Sequence, residues 1–174
     1  NKLINALFHS SSGGMTENSQ DVWKNKYPYL SSVKDFDKKN PKFKWQKTFT
    51  NKELTNLFPK IGGLKNIEIQ NITSTGRVKN LELFGADGSD QMSGVELRKR
   101  LGLNSNLVRF KFFEEELDGK FVTKKGLIVF GRGSGHGVGM SQWGAKYMAS
   151  KGQKAEQILK HFYRGVQIKP FRKD

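Results

Sequence analysis

Apolar residues along this chain recur with two different periods, and each period predicts a different element. Residues 107–113 alternate between apolar and basic side chains, a period of two that is typical of a strand. Near the C-terminus, apolar residues instead share one helix face, at Ala155, Ile158, Leu159 and Phe162. The sequence therefore predicts a terminal pair of helices over approximately 141–150 and 154–163, ended by Gly152 and Gly165.

Two capping boxes predict further short helices. Thr50 and Glu53 stand before an apolar stretch, so a helix begins there and ends by Gly62 and Gly63. Ser93 and Glu96 open a second helix over 95–101, which Gly102 closes.

The remaining apolar runs predict strands. The runs 67–72 and 78–84 flank a Ser-Thr-Gly-Arg turn and predict a hairpin. Residues 3–9 predict a buried strand, and 121–130 predict one or two strands after an Asp118-Gly119 turn. Because strands and helices do not alternate regularly, the fold class is α+β: mixed strands and hairpins, short capped helices and the C-terminal helical pair.

The densest local signal is a glycine-rich stretch that carries one histidine. Residues 131–145 follow the apolar run 127–130 and run into a helical pattern; they read Gly-Arg-Gly-Ser-Gly-His-Gly-Val-Gly-Met-Ser-Gln-Trp-Gly-Ala. Glycine at every second position indicates backbone that approaches something closely, or φ values that other residues avoid. We therefore predict that a strand enters this loop and a helix leaves it.

Composition limits the classes of partner. The 174 residues suffice for one domain or two small ones, and 31 basic against 16 acidic residues give a net charge of +15. Such a charge suits nucleic acid, a phospholipid surface or an acidic cell-wall polymer, or merely keeps the surface soluble. The lysines are scattered from Lys2 to Lys173 and no nucleic-acid motif is present, so no nucleic-acid partner is expected.

Two absences narrow the chemistry further. Zero cysteines exclude disulfides and thiolate metal sites. No apolar run approaches the roughly 18 residues of a membrane span. The chain begins at Asn1 rather than at methionine, which predicts a processed or partial chain.

Several common sites fail the motif tests. His136 stands where the third glycine of G-x-G-x-x-G would fall, and no phosphate-binding Gly-Lys-Ser/Thr follows. The hydrolase pattern G-x-S-x-G is absent around the serines at 10–12. His136 has no metal-ligand partner at short spacing, so it is either a site residue or a histidine held by backbone hydrogen bonds. His9 and His161 favour structural roles.

No carboxylate stands out as a glycosidase acid. Glu17 follows the Gly13-Gly14 turn and is the best local candidate, although a weak one. Glu114–Glu116 and Asp118 precede a turn and favour a solvated charge cluster. The sequence thus combines a loop typical of a site with no convincing acid.

The motifs together resemble one family. Residues 131–145, then Met148-Ala, Gly152, Glu156-Gln-Ile-Leu159 and His161-Phe-Tyr-Arg-Gly165, are similar to the closing signature of the stage II sporulation protein D (SpoIID/LytB) family. Residues 8–16, Asp21-Val-Trp23 and Pro28-Tyr-Leu30 resemble its S-x-C-G-G-x-T, D-V-W and P-Y-L block. Lys47–Thr50 and Gly76–Val78 fit its middle region, so the resemblance covers nearly the whole chain.

The resemblance implies a peptidoglycan lytic transglycosylase that cuts glycan strands without stem peptides during engulfment in sporulation. It also implies a catalytic glutamate in a segment upstream of Asn1, so no catalytic residue is expected in this chain. Some relatives carry a zinc-binding cysteine where this chain has Ser12; we therefore expect no metal and no cofactor. The alternative is a non-catalytic amidase enhancer or glycan-binding module of the same family.

The resemblance further implies an organisation, a site and partners. We expect residues 1–40 and 111–174 to form a catalytic-type domain, with 41–110 as an inserted smaller α+β subdomain. The implied partners are denuded glycan strands, a cell-wall amidase, a membrane anchor protein and the upstream segment of the same protein. The implied location is extracytoplasmic, membrane-anchored when full length, at the cell wall or sporulation septum. The expected substrate-binding residues are Ser11, Ser12, Gly13, Gly14, Thr16, Trp23, Tyr29, Gly135, His136, Gly137, Ser141 and Gln142; for the aromatic ones, ordinary packing is the alternative.

Overall fold

A computed structural model describes residues 2–23, 25–117 and 122–170. Within these ranges the chain forms eight strands and five α-helices, in the order β1 (Phe8–His9), α1 (Ser19–Val22), β2 (Lys44–Thr50), α2 (Asn51–Leu57), β3 (Asn66–Ile72), β4 (Val78–Phe84), β5 (Ser89–Ser93), α3 (Gly94–Arg100), β6 (Val108–Leu117), β7 (Val122–Arg132), β8 (Met140–Ser141), α4 (Gln142–Ser150) and α5 (Ala155–Phe162). A 3-10 turn, Pro59–Ile61, follows α2. The strands lie in small sheets and do not alternate regularly with helices, which confirms the α+β class.

The chain divides into two units, one of which is inserted into the other. Unit 1 contains residues 1–43 and 133–174, and unit 2 contains 44–132. The insertion begins near the expected residue 41. Its end differs from the expected residue 110: β7 pairs antiparallel with β2 on one side and with β6 on the other, so both β6 and β7 belong to the inserted unit.

Unit 2 combines two three-stranded sheets, ordered β2-β7-β6 and β3-β4-β5. The predicted hairpin is confirmed, since β3 and β4 pair antiparallel. Both capping boxes are present: the Thr50 side chain accepts from the Glu53 amide, and the Ser93 side chain accepts from the Glu96 amide. The core of the unit is formed by buried residues from both sheets and both helices, among them Leu54, Leu81, Leu83, Leu97, Leu127 and Val129.

Two strand predictions in unit 2 are confirmed with different bounds. The strand expected at 107–113 runs over Val108–Leu117, and the one or two strands expected at 121–130 form the single strand Val122–Arg132. The expected turn at Asp118-Gly119 lies outside the described residues. Sequence periodicity missed β2, because its alternation of polar and aromatic residues contains only one buried apolar side chain, Phe49.

Unit 1 brings the N-terminal segment against the glycine-rich loop. β1 pairs parallel with β8, and single bridges join Ser11 to Ser134 and Glu17 to Val138. The C-terminal helices α4 and α5 are confirmed, followed by Gly152 and Gly165 at φ values of +81° and +71°. The core contains Leu30, Val33, Val138, Met148, Ile158, Phe162 and Tyr163.

The predicted buried strand over 3–9 is wrong for most of its length. Only Phe8 and His9 form a strand, and Leu3 and Phe8 are 90% and 58% exposed. The physical reason is that, within the described part of the chain, this run has only the two-residue β8 as a strand partner. Leu7 is held at its carbonyl, which accepts bonds from the Met140 amide and the Tyr163 hydroxyl.

Candidate functional site

The glycine-rich loop packs backbone to backbone against the segment that follows β1. Ser11 and Ser134 exchange amide-to-carbonyl bonds of 3.0 and 2.7 Å, and the Glu17 amide donates to the Gly137 carbonyl at 2.8 Å. A Cβ on Gly133 would lie 2.7 Å from the Ser11 carbonyl oxygen, and one on Gly135 would lie 2.7 Å from Cβ of His9. The glycine density at these positions is thus explained by close approach of backbone within the unit and by positive φ values of +74° at Gly133 and +112° at Gly135.

Two buried aspartates hold the serine–glycine turn that this loop contacts. The Ser12 hydroxyl donates to Oδ2 of Asp35 at 2.6 Å, and the Ser11 hydroxyl donates to Oδ2 of Asp37 at 2.5 Å. The Gly13 amide also donates to Oδ2 of Asp37, at 2.8 Å. Because Asp35 and Asp37 are 5% and 1% exposed, these bonds replace the water that each carboxyl loses.

Burial raises the pKa of Asp35 above its ordinary value, and the negative charge of Asp37 adds to the rise. Hydrogen bonds from Ser12, from Ser141 and from the Phe36 amide oppose part of it. Unit 1 therefore contains a buried carboxyl, and hydrogen bonds from its surroundings offset only part of the cost of ionising it.

Four expected substrate-binding residues are corrected by this arrangement. Ser11, Ser12, Thr16 and Ser141 are at most 1% exposed, and their hydroxyls are used inside the unit. Besides the two aspartate contacts, Thr16 Oγ1 accepts from the Val33 amide at 2.8 Å, and Ser141 Oγ accepts from the Gly144 amide at the start of α4. Ser11, Ser12, Thr16 and Ser141 thus shape the loops, since a ligand at the surface could not reach their oxygens.

Two other expected residues, His136 and Trp23, come together in a ring cluster with His9. The His136 ring lies 5.2 Å from Trp23 and 5.5 Å from His9, measured between centroids. Trp23 is 39% exposed and His136 is half-buried, whereas His9 is buried with Nδ1 3.1 Å from the Val138 carbonyl. The cluster therefore presents one indole and one imidazole at the surface beside the glycine loop.

The loop backbone sets the tautomer of His136. The Val138 amide donates to Nδ1 of His136 at 3.1 Å, so in the neutral ring the proton is on Nε2. The bond from Val138 holds the imidazole in a fixed orientation. Beside it, the indole of Trp23 offers an apolar face on which a sugar ring can pack.

The other expected residues have different surroundings. Tyr29 lies against Tyr27 at 5.6 Å between ring centroids, and its hydroxyl accepts from the Asn5 amide, which favours the packing alternative. Gln142 is exposed at the first position of α4. Gly13 and Gly137 are buried, whereas Gly14 and Gly135 are partly exposed.

The carboxylates of unit 1 include two that sequence reasoning missed. Glu17, the weak candidate acid, is fully buried, and its Oε1 accepts from the Asn18 amide. Asp35 and Asp37 carried a signal, because residues 34–38 alternate in polarity as Lys-Asp-Phe-Asp-Lys and a period of two places both acids on one side. The sequence did not show that this side faces inward.

Across 2–23, 25–117 and 122–170, no three histidine, aspartate or glutamate side chains are grouped so that they could hold a metal ion. In the described part of the chain, every helix is too short or too polar to cross a bilayer.

Comparison with known proteins finds a matching family and several similar proteins. The profile of a family described as a domain of unknown function (DUF8618) matches residues 24–139. Stage II sporulation protein D of Bacillus subtilis (strain 168) is 40% identical over 171 residues, which cover 97% of this chain and 46% of that protein. The protein of the same name from Bacillus amyloliquefaciens is 37% identical with the same coverage.

A more distant match carries a different name. An amidase enhancer of Bacillus subtilis (strain 168) is 27% identical over 217 residues, which cover 95% of this chain and 30% of that protein. The chain thus spans about half the length of the curated sporulation relatives and less of the enhancer.

Proposed function

Because the chain belongs to the DUF8618 family and is homologous to stage II sporulation protein D, we propose that it is the glycan-recognising part of a sporulation cell-wall protein that acts as a lytic transglycosylase. The resemblance found in the sequence is confirmed by identities of 37–40% over 97% of the chain. The activity is our proposal.

The contact between the exposed Trp23 and the half-buried His136 is the observation that carries this proposal. An indole face beside an imidazole of fixed orientation suits a pyranose ring, which has apolar C–H faces and polar hydroxyl edges. Gln142 offers a further exposed amide on the same unit. The proposed substrate is a peptidoglycan glycan strand that lacks stem peptides.

The reaction needs one acid and no water. A carboxylic acid protonates the glycosidic oxygen, and the bond from that oxygen to the anomeric carbon breaks through an oxocarbenium-like transition state. The primary hydroxyl of the same muramic ring then attacks the anomeric carbon and returns its proton to the carboxylate. The products are a shortened strand with a free hydroxyl and an anhydro-sugar end.

The acid itself is assigned to the glutamate that the family resemblance implies upstream of Asn1. Glu17, Asp35 and Asp37 are poor alternatives, because all three are at least 95% buried and accept hydrogen bonds from their own unit. In this proposal His136 is a positioning residue that holds the sugar for that acid.

The test is to incubate the full-length protein with purified denuded glycan strands and to identify the products by mass spectrometry. We expect anhydro-muramic acid ends. Reducing ends would instead indicate hydrolysis and would contradict a transglycosylase. Intact strands would show that the protein does not cleave this substrate. Strands that still carry stem peptides serve as the substrate control.

The proposed partners and location follow from the proposed substrate. A strand without stem peptides must be supplied by an amidase that cleaves the bond between muramic acid and peptide, so we propose a cell-wall amidase and a membrane anchor protein as partners in engulfment. The proposed location is extracytoplasmic, membrane-anchored when full length, at the cell wall or sporulation septum. A fluorescent fusion that stays in the cytoplasm during sporulation would contradict it.

An amidase enhancer is the second candidate function. The similarity to a protein of that name and the burial of Glu17, Asp35 and Asp37 favour it. Adding the full-length protein to a cell-wall amidase and measuring both stem-peptide release and anhydro-sugar ends distinguishes the two functions. Faster release without anhydro-sugar products would support the enhancer and contradict the enzyme.

A further inference from the structure

Helix α4 and the segment 34–39 of unit 1 together form a surface of alternating lysines and aromatic rings. We call this surface the lysine–aromatic ladder and define it by Lys34, Phe36, Lys39, Trp143, Lys146, Tyr147 and Lys151. The two strips are joined by Phe36 and Tyr147, whose rings stack at 5.9 Å between centroids with an interplanar angle of 17°. The four lysines are exposed and the three rings are half-buried.

Each ring of the ladder has an ammonium group beside it. Nζ of Lys146 lies 4.7 Å from the centroid of the Trp143 ring. The Tyr147 ring has two such neighbours, Lys39 at 5.9 Å and Lys151 at 5.7 Å. Lys34 lies 5.8 Å from the Phe36 ring. These cation–π contacts orient the lysine heads along the surface while leaving them exposed.

The backbone of the 34–38 segment separates the charges by sign. Its alternation turns Asp35 and Asp37 inward, where they hold the Ser11–Gly13 turn, and leaves Lys34 and Lys38 exposed on either side of Phe36. On helix α4, Trp143 and Tyr147 are four residues apart and therefore share a face with their lysines. The ladder is consequently basic and aromatic on its outer side, whereas the acids of the same segment are internal.

We propose that the ladder binds an anionic glycan, a chain of pyranose rings that carries free carboxylates. This inference rests on the proposed function. When a stem peptide is removed from muramic acid, the lactyl amide becomes a lactyl carboxylate, so a denuded strand presents a negative charge on every muramic unit. Ring faces suit the apolar faces of the sugars, and the ammonium groups complement the carboxylates.

The aromatic rings of the ladder favour a glycan over a polyanion that has no sugar rings, because the apolar faces of pyranose rings can pack on aromatic side chains. All four cations of the ladder are lysines, which act as point charges and can complement the lactyl carboxylates. The ladder contains neither Trp23 nor His136, so its proposed role is to bind denuded strands rather than to act on the glycosidic bond.

The experiment measures binding of the 174-residue chain to purified denuded glycan strands by co-sedimentation. One sample of strands is left untreated, and in a second the lactyl carboxylates are converted to neutral methylamides. We expect the untreated strands to bind about tenfold or more tightly at an ionic strength of about 0.1 M. This preference should shrink at about 1 M, where the Debye length falls from ~10 Å to ~3 Å. Equal binding of both samples would overturn the proposal.

Variants locate the interaction on the ladder. The double variant Lys39→Gln/Lys146→Gln should weaken binding to untreated strands roughly five- to tenfold and leave binding to neutralised strands unchanged. The matched control Lys52→Gln/Lys65→Gln removes the same charge from exposed positions of unit 2 and should bind like the wild type. An equal loss of binding in both double variants would mean that only net charge matters, which would contradict binding at the ladder. Circular dichroism and thermal unfolding verify that each variant is folded.

The remaining outcomes separate the ladder from the proposed function. In one outcome, the full-length protein makes no anhydro-sugar ends while the chain still prefers carboxylated strands through Lys39 and Lys146. That result would contradict the proposed enzyme activity and support glycan binding at the ladder. If strands are cleaved but the ladder variant binds and cleaves like the wild type, glycan binding at the ladder is contradicted and the enzyme activity is supported. Equally tight binding to phosphatidylglycerol vesicles or to single-stranded DNA would show a general polyanion surface and would overturn the glycan assignment.

Discussion

The hydroxyl of Ser12 donates a 2.6 Å hydrogen bond to Oδ2 of Asp35, and both side chains are buried. Ser12→Ala removes this donor and leaves the carboxyl with less compensation for its lost hydration. We expect the free energy of unfolding to fall by about 1–3 kcal/mol, measured by urea denaturation. Ser89→Ala, at an exposed strand position, is the matched control and should change stability by less than about 0.5 kcal/mol. Equal effects of the two variants would contradict the role given to Ser12.

The raised pKa of Asp35 predicts a pH dependence of known sign. The pKa of Asp35 is higher in the folded state than its ordinary value of 3.8, which we take for the unfolded state. Such a carboxyl contributes most to stability at a pH below its unfolded-state pKa. This contribution is lost as the pH rises through its folded-state pKa. Asp35→Asn removes that titration but keeps Asp37. The wild type should therefore lose stability relative to Asp35→Asn as the pH is raised from about 3 to about 7.

Thermal unfolding of Asp35→Asn and the wild type across this range measures the difference. The absolute offset between them also contains changed hydrogen bonds to Ser12 and Phe36, so the slope against pH is the test. A difference that stays constant with pH, or that moves in favour of the wild type, would refute the assignment.

Gly144 is buried at the start of α4, where an added Cβ would meet Oδ1 of Asp35 and lie 3.1 Å from the Phe162 ring. Alanine is a better helix former than glycine by up to ~1 kcal/mol, yet overpacking costs about 1–3 kcal/mol. We expect Gly144→Ala to be destabilising in calorimetry despite the gain in propensity. Ser150→Ala, at an exposed position of the same helix, should be close to neutral, and a stabilised Gly144→Ala would show that the site can relax.

His136→Asn tests the positioning role of the imidazole. The asparagine oxygen can accept the Val138 amide bond in place of Nδ1, whereas the Nε2 donor is lost. We expect stability to change by less than about 0.5 kcal/mol and kcat of the full-length protein on denuded strands to fall by about 10²-fold, with a smaller change in KM. His136→Ala loses both bonds and should also lower stability. Unchanged kinetics in the asparagine variant would exclude His136 from the site.

The elements that could be predicted from the sequence are those whose determinants lie close together along the chain. The helices that begin after Thr50 and Ser93 were found from capping boxes four residues long, and the terminal pair from its apolar period. The prediction of a strand over 3–9 was wrong because an apolar run does not show whether a neighbouring strand is present to pair with it. Leu3 is 90% exposed for this reason.

For the candidate site, the sequence named residues that lie near one another, and their part in substrate binding stays a prediction. Trp23 and His136 were expected at the site, and they do lie together. The serines were expected to contact substrate, but Ser11 and Ser12 donate to aspartates more than twenty residues away. Gly133 and Gly135 likewise lie against the segment 9–13 rather than facing open space. Such roles depend on long-range packing, which local spacing does not record.

The insertion of unit 2 also sets an order in which the protein can be made. His9 reaches its partner Val138 across 129 residues, so the segment around His9 is synthesised well before the residues that it contacts. At about 5–20 residues per second, the wait lasts roughly 6–25 s. Residues 44–132 are continuous and can complete their sheets within that interval, before the ends of the outer unit meet. We therefore expect nascent chains to protect the inserted sheets from proteolysis first and the segment around His9 only after the glycine-rich loop has been synthesised.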